Sequence, residues 1–281
     1  MTLRQRVGAT SALALWPAEK LEIADDAAVF DLLERARPEV VVNAAAYTAV
    51  DRAEQEPERA FAVNEAGPRA LARYCQARGA CLVHVSTDYV FDGSKSSAYV
   101  EDDATGPLNV YGRSKLAGEQ AIRAELEQHL ILRTSWVFSA HGQNFVKTML
   151  RLGQDRSEVR VVADQHGRPT PAHDLADAIW HIVKARANGA SPPWGTYHFA
   201  GEGTATWKDL AEAVFALAES HSGKHITVTP ISSADYPTPA QRPRFSVLDT
   251  TRFASTFGWC PPPWQAGLKS VVDGLLAPNG R

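Results

Sequence analysis

The chain alternates short, continuous apolar runs with longer stretches in which apolar residues recur every three or four positions. The runs are "ALAL" at Ala12, "EVVVNAAA" at Glu39, "ACLVHVSTD" at Ala80, "HLILRTSWV" at His129, "EVRVVAD" at Glu158 and "GTYHFAG" at Gly195. A run that is apolar throughout, and not at every second position, describes a strand covered on both faces. The intervening "AAVFDLLERAR" and "EQEPERAFAVNEAGPRALARYCQARG" have helical spacing, with Asp25 and Asp26 as candidate N-caps of the first and Gly79 as the stop of the second. The expected fold is α/β, a doubly wound, Rossmann-like parallel sheet with helices on either side.

After about Gly201 the pattern changes to one helix, "TATWKDLAEAVFALAESHSG", and the proline-rich "ADYPTPAQRPRFSVLDTTRF". Proline gives no ladder hydrogen bond, so this tail is expected as turns, short strands and a closing helix near Trp264 to Leu276. The expected division is a dinucleotide-binding domain over 1–140 joined by 172–200, and a smaller substrate-binding lobe from 141–171 and 201–281. Open α/β sheets bind ligands beyond the carboxyl ends of their strands. The segments "NAAAYTAVD", "STDYVFDG" and "RTSWVF" all fall there.

Composition narrows the class. With 281 residues, 44% hydrophobic and 22% charged, the chain has material for one large or two modest cores. A net charge of −3 without a basic run argues against nucleic acid as partner. Cys75, Cys81 and Cys260 are odd in number and lack metal-ligand spacing, so they are expected as free thiols, and no metal site is expected. No run reaches the ~18 apolar residues that span a bilayer, and "MTLRQR" is not followed by an export signal. The expectation is a cytoplasmic protein without a membrane partner.

The stretch "NVYGRSKLAGE" places Tyr111 and Lys115 four residues apart, on one face of a helix. A free phenol has a pKa near ~10, and an adjacent ammonium lowers it by favouring the phenolate. Tyr111 is therefore a candidate general acid, although a surface tyrosine explains the spacing equally. One strand earlier, "HVSTDYVFDG" supplies Ser86 and Thr87, hydroxyls able to donate to the oxygen that Tyr111 would protonate.

Here the chain resembles the extended short-chain dehydrogenase/reductase family, whose Ser/Thr and Tyr-x-x-x-Lys set acts with a nicotinamide cofactor. The segments "VVNAAAYTAVDRAEQEPE", "VNEAG", "STDYVFDG", "PLNVYGRSKLAGE", "LRTSWVF", "NFVKTMLRL", "VVADQHGRPT" and "YPTPAQRPRFSVLDT" are similar, in order and spacing, to its dTDP-4-dehydrorhamnose reductase branch, from about Leu21 to Leu276. The resemblance implies that Tyr111 protonates the C4 oxygen of dTDP-4-dehydro-L-rhamnose while NADPH or NADH supplies hydride. Lys115 would hold the cofactor ribose and depress the Tyr111 pKa. Thr87 and Asp88 would contact the sugar, and Trp136 would wall its pocket unless it is a core aromatic. Glu22 and Ile23 would lie on the adenosine side of the cofactor. Asn43, Ala44, Ala45 and Ala46 would line the dinucleotide, or else be helix-packing residues after a buried strand. Asn64 would support the lysine through water, or be a buried amide bonded to backbone. Asn144, Arg168 and Arg242 lie in segments resembling sugar-nucleotide contacts. Arg242 would pair bidentately with a diphosphate, unless it is a surface arginine.

The family's glycine-rich strand-turn-helix is not found in this sequence, where Met1 to Val7 reads like the middle of the following helix and "SALALWPAEKLEIAD" like the second strand. The expectation is an N-terminally truncated chain that folds poorly and binds NADPH weakly. "LWPAEK" offers no acid placed for the 2′-hydroxyl of NAD, a mild preference for NADPH. Two rival readings share the fold. A sugar-nucleotide dehydratase or epimerase commonly needs an Asp-Glu pair after the threonine, whereas Asp88 is followed by Tyr89 and Val90. A non-catalytic subunit resembling the regulatory subunit of methionine adenosyltransferase would not need Tyr111, Lys115 and Thr87. Some relatives form homodimers with an interface metal, and this sequence asserts neither.

Overall fold

In the computed structural model, which describes residues 21–188 and 193–277, most of the expected elements form for local reasons visible in their end residues. Helix α1 (Asp26–Ala36) starts where the Asp25 carboxylate accepts from the Ala28 N–H, and β1 (Val40–Asn43) follows. A short α2 (Val50–Ala53) precedes the long stretch expected as one helix, which is divided into α3 (Pro57–Phe61), a π-helical turn (Ala62–Ala66) and α4 (Gly67–Arg78). Proline explains both departures. Pro57 can begin a helix but cannot continue one. Pro68 has no N–H for the Asn64 carbonyl four residues back, so the helix widens there instead of closing an α-turn. Gly79, at φ 67°, then reverses the chain into β2 (Cys81–Thr87).

Helix α5 (Val110–Glu125) is capped by Asn109, whose side chain accepts from the Gly112 N–H, and leads to β3 (His129–Thr134). Beyond β3 come β4 (Val137–Phe138), α6 (Phe145–Asp155), β5 (Glu158–Val162), β6 (His166–Gly167) and β7 (Thr170–Pro171). Helix α7 (Ala172–Ala187) and strand β8 (Gly195–His198) return to the sheet. The chain ends through β9 (Ala205–Thr206), α8 (Trp207–Ser222), β10 (Thr227–Ile231), α9 (Thr251–Phe257) and α10 (Trp264–Leu276). A capping box between Thr206 and Asp209 starts α8, and Gly223 at φ 69° ends it.

The main sheet is parallel, in the order β1, β2, β3, β8. On one face Val29, Leu33, Leu71, Tyr74 and Ile122 pack from α1, α4 and α5 against Leu82 and Ile131. On the other, Leu175, Ile179 and Ile182 of α7 with Phe253 and Phe257 of α9 cover Val83, Leu130 and Leu132. Each such fully buried side chain contributes roughly 1.5–3 kcal/mol. The run "EVRVVAD" departs from expectation: it forms β5, but pairs with β10 in a separate two-stranded sheet. Its exposed and buried residues alternate, because Glu158 and Arg160 face out while Val159 and Val161 face in. Those valines join a third core with Val146 and Met149 of α6, Leu210, Val214 and Phe215 of α8, and Leu268 and Val272 of α10. That core begins where the chain leaves the carboxyl end of β3. The readings placed on residues 1–20, including the run "ALAL", lie outside the described residues.

Helix α5 sits close to the π-helical turn because position 118 has no side chain: a Cβ there would lie 2.1 Å from the Asn64 carbonyl oxygen. Gly118→Ala should therefore lower stability by about 1–3 kcal/mol in thermal or urea unfolding. Gly274→Ala, on an exposed turn of α10 with open space around it, should raise stability by about 0.5–1 kcal/mol. Equal effects at the two sites would contradict this packing.

Candidate active site

The carboxyl ends of β1, β2 and β3 and the first turns of α5 bring together most of the residues singled out in the sequence. Tyr111 and Lys115 lie one turn apart on α5 and have different partners. Lys115 is 1% exposed; its Nζ donates to the Val85 carbonyl at 2.7 Å and lies 3.2 Å from His84 Nε2. Burial brings its pKa down to about 8, opposed by the Glu119 carboxylate one turn further along the helix. The Tyr111 ring packs edge-on against Tyr89, with centroids 5.8 Å apart. Burial pushes its phenol up to about 12; a hydrogen bond with Thr87 works against this and the charge of Asp88 adds to it. The expectation that Lys115 depresses the Tyr111 pKa is thus corrected for this structure. The ammonium is turned toward the backbone of β2, and removal of water governs the phenol. Such a phenol keeps its proton at neutral pH and can act as a donor.

Thr87 is the hydroxyl beside Tyr111. It accepts from the Tyr89 N–H and donates to Asp88 Oδ1, both at 3.2 Å. Ser86, expected to share this role, does not: its Oγ donates to Glu119 Oε1 at 2.6 Å. Glu119 is fully buried and held by Arg133, through Nε at 3.0 Å and Nη2 at 2.8 Å, and by Arg123 at 2.8 Å. Those contacts hold its pKa low against burial. Asp88 is 2% exposed, and its carboxyl is engaged by Ser246 Oγ at 2.5 Å and by Thr87. Burial nevertheless raises it to about 7. The expected sugar contact at Asp88 is therefore a buried carboxyl with both oxygens occupied.

Asn43 stands opposite His84 in the β1–β2 register. Its Oδ1 accepts from the Ala45 N–H and its Nδ2 meets His84 Nδ1, both at 3.0 Å. This shapes the turn that leaves Ala44 and Ala45 exposed at the strand end. Asn64 is fully buried; it accepts from the Tyr47 N–H at 2.8 Å and donates to the Tyr47 carbonyl at 3.1 Å and to Ser114 Oγ at 2.9 Å. It joins that turn to the residue before Lys115. Glu22 and Ile23 belong to the turn before α1: Glu22 accepts from the Ala24 N–H, and the Ile23 side chain packs against Gly67 in the sheet core. Their side chains are not brought to the Tyr111 region.

Three residues expected at the sugar nucleotide have structural partners. Arg242 forms a bidentate pair with Asp51, at 3.1 and 2.8 Å. Asn144 is the N-cap of α6, accepting from the Lys147 N–H and donating to the Ser139 carbonyl. Trp136, at a left-handed φ of 48°, stacks on Trp207 with centroids 3.6 Å apart, and Gly167 crowds its indole, leaving no room there for a Cβ. Arg168 is different: its Nε is buried without a hydrogen-bond partner, and Nη1 reaches Thr250 at 3.4 Å. Thr134 Oγ1, paired in register with Thr87, is likewise buried and unpartnered. Sequence reasoning passed over Thr134, His84, Asp51, Ser246 and Trp207. For His84 the signal was present, a polar residue inside an apolar strand; for the Asp51–Arg242 pair, 191 residues apart, there was none.

A nicotinamide dinucleotide requires small residues for close approach, a cation for its ribose and donors near its carbonyl partner. Ala44 and Ala45, Lys115, and the unpartnered Thr134 hydroxyl beside Thr87 fit its nicotinamide and ribose end. The readings made for its pyrophosphate loop fall on residues that are not described. Among the described residues no group of three or more His, Cys, Asp or Glu is placed to hold a metal ion.

The family described as RmlD substrate binding domain matches residues 2–277. A dTDP-4-dehydrorhamnose reductase from Sinorhizobium fredii is 46% identical over 256 residues, covering 91% of this chain and 86% of that one. The chain belongs to the dTDP-4-dehydrorhamnose reductase family. The Escherichia coli K12 member is 43% identical over 251 residues, with 88% and 83% covered. Among solved dTDP-4-dehydrorhamnose reductases, that of Clostridium acetobutylicum superposes with a TM-score of 0.89 at 34% identity, covering 97% of this chain and 95% of its own. The Bacillus anthracis reductase, solved in complex with NADP, gives 0.87 at 34% identity, with 96% and 92% covered.

The raised Asp88 carboxyl predicts a pH signature. Between its ordinary value of 3.8 and about 7 the folded state keeps a proton that the unfolded state has lost. The stability due to this group is therefore full below pH 4 and lost as pH rises through 7. Asp88→Asn carries no such loss. Its stability relative to the unmodified protein should rise between pH 4 and 7.5 by on the order of 2–4 kcal/mol. A pH-independent difference in unfolding free energy would contradict it.

Proposed function

We propose that the protein reduces the C4 ketone of dTDP-4-dehydro-L-rhamnose to give dTDP-L-rhamnose, using NADPH or NADH. The observation that carries the reading is Tyr111, a phenol kept protonated by burial and hydrogen-bonded to Thr87, next to the one buried lysine of α5. It stands in a chain whose relatives carry the reductase name over most of their length.

In this reading the bound cofactor supplies hydride to C4. Tyr111 Oη gives its proton to the C4 oxygen as negative charge develops there, and Thr87 Oγ1 orients that oxygen by hydrogen bonding. Lys115 binds the cofactor's ribose hydroxyls. Asn43 and Ala44 to Ala46 form the surface against which the cofactor lies. Arg168, with its spare Nε donor, faces the substrate diphosphate. Trp136, backed by Trp207, walls the deoxysugar. The lobe of 141–171 and 201–281 holds the nucleotide sugar, with α9 serving the sheet. The protein works in the cytoplasm, as a monomer or homodimer.

Tyr111→Phe should leave the fold intact and lower kcat by on the order of 10² to 10⁴, typical for a lost general acid. The assay is NADPH oxidation with freshly made dTDP-4-dehydro-L-rhamnose. Turnover by the Phe variant within a few fold of the unmodified protein would refute the role.

A further inference from the structure

The least expected group beside the proposed chemistry is a histidine that no step above employs. His84 is fully buried in β2, between Asn43 Nδ2 at 3.0 Å and Lys115 Nζ at 3.2 Å. The Asn43 amide is oriented by the Ala45 N–H, which requires the oxygen on its own side. The NH₂ of Asn43 must therefore donate to His84 Nδ1, which serves as acceptor. Burial and the neighbouring lysine keep the imidazole neutral, and a neutral ring with an accepting Nδ1 carries its hydrogen on Nε2. That hydrogen points at Lys115 Nζ.

We infer that His84 is a positioning residue for Lys115: Asn43 fixes its tautomer so that its Nε2–H faces the lysine, where it can donate to the lone pair of a neutral amine but opposes an ammonium, while Lys115 donates to the Val85 carbonyl in either state. Were Lys115 an ammonium, two N–H donors would face each other at 3.2 Å in a site closed to water. The arrangement disfavours the ammonium by hydrogen bonding, in addition to burial. It also ties the proton state of Lys115, through Asn43, to the Ala44–Ala46 turn on which the cofactor would lie.

The other groups around Lys115 do not supply this bias. Glu119, on the same helix, favours the ammonium but is engaged by Arg133 from β3, Arg123 and Ser86. Asn64 from the π-helical turn is uncharged and bonded to Tyr47 and Ser114. Glu54 after α2 accepts from the Val110 N–H at the start of α5. Asp88 and Tyr111 are linked through Thr87. His84 is the polar group from β2 that opposes the lysine.

The consequence rests on the reductase reading; the arrangement itself does not. If the ammonium is the working form, kcat/KM falls as pH rises through the Lys115 titration, near 8. His84→Gln offers the lysine an amide oxygen that accepts from an ammonium, and should move both titration and alkaline limb upward.

The test uses the full chain without cofactor. ¹⁵N NMR of the imidazoles should show His84 as the neutral Nε2–H tautomer from pH 5 to 9, and ¹³C NMR of lysine Cε should show Lys115 titrating near pH 8. In His84→Gln the lysine titration should rise by about one pH unit or more, and kcat/KM at pH 9, relative to pH 7, by about fivefold. An Nδ1–H tautomer or an imidazolium at His84 overturns the inference, even if the variant fails to fold. So does a Lys115 titration that stays in place in a folded His84→Gln protein. If the NMR results are as expected but the unmodified protein oxidises no NADPH with substrate, the reductase reading fails and the His84 arrangement stands.

Discussion

Helix α5 buries a lysine and a glutamate one turn apart, and the active-site region is organised by the need to satisfy both. A buried charge without partners costs several kcal/mol, so each must find its own compensation. Glu119 finds it in Arg133 of β3, Arg123 of α5 itself and Ser86 of β2. Lys115 finds a backbone carbonyl on β2 and is opposed there by the His84 imidazole. The helix can lie deep enough for this because two of its residues lack side chains. A Cβ at Gly112 would lie 2.2 Å from the Tyr89 carbonyl oxygen, and one at Gly118 2.1 Å from that of Asn64. The depth of α5 leaves Tyr111 only partly exposed, and partial loss of water favours its protonated form.

The C-terminal tail closes over the same helix. Asn109, the N-cap of α5, donates to the Gln241 carbonyl, and Arg242 pairs with Asp51 beside it. Ser246 engages Asp88, next to Thr87. The proline-rich segment thus behaves as a strap whose polar contacts end on residues adjoining the proposed catalytic pair. Its prolines suit that task, since they hold the chain extended without asking for ladder partners.

Local chemistry in the sequence was enough for much of this. Runs apolar at every position became sheet strands, and Asp25 and Gly79 marked helix ends where they were expected. "EVRVVAD" was misplaced because its alternation of charge and valine signals a half-exposed strand, not a central one. The Tyr111–Lys115 spacing identified the helix but not the direction of the lysine, which depends on His84 and Val85 from another element. Arg242 and Asn144 also have structural roles that their sequence context did not signal, an ion pair across 191 residues and a helix cap. Sequence spacing reports which groups share an element; which groups meet across elements follows from packing.

The central claim is that hydride is delivered to a sugar ketone while Tyr111 protonates its oxygen. The most direct measurement is the fate of deuterium when the protein, [4,4-²H₂]NADPH and dTDP-4-dehydro-L-rhamnose are incubated together and the sugar product is examined by NMR. The account predicts one deuterium at C4 of dTDP-L-rhamnose for each NADPH consumed. A product bearing solvent hydrogen at other ring carbons, with no deuterium gained and no NADPH consumed, would contradict it and favour epimerase or dehydratase chemistry on the same fold.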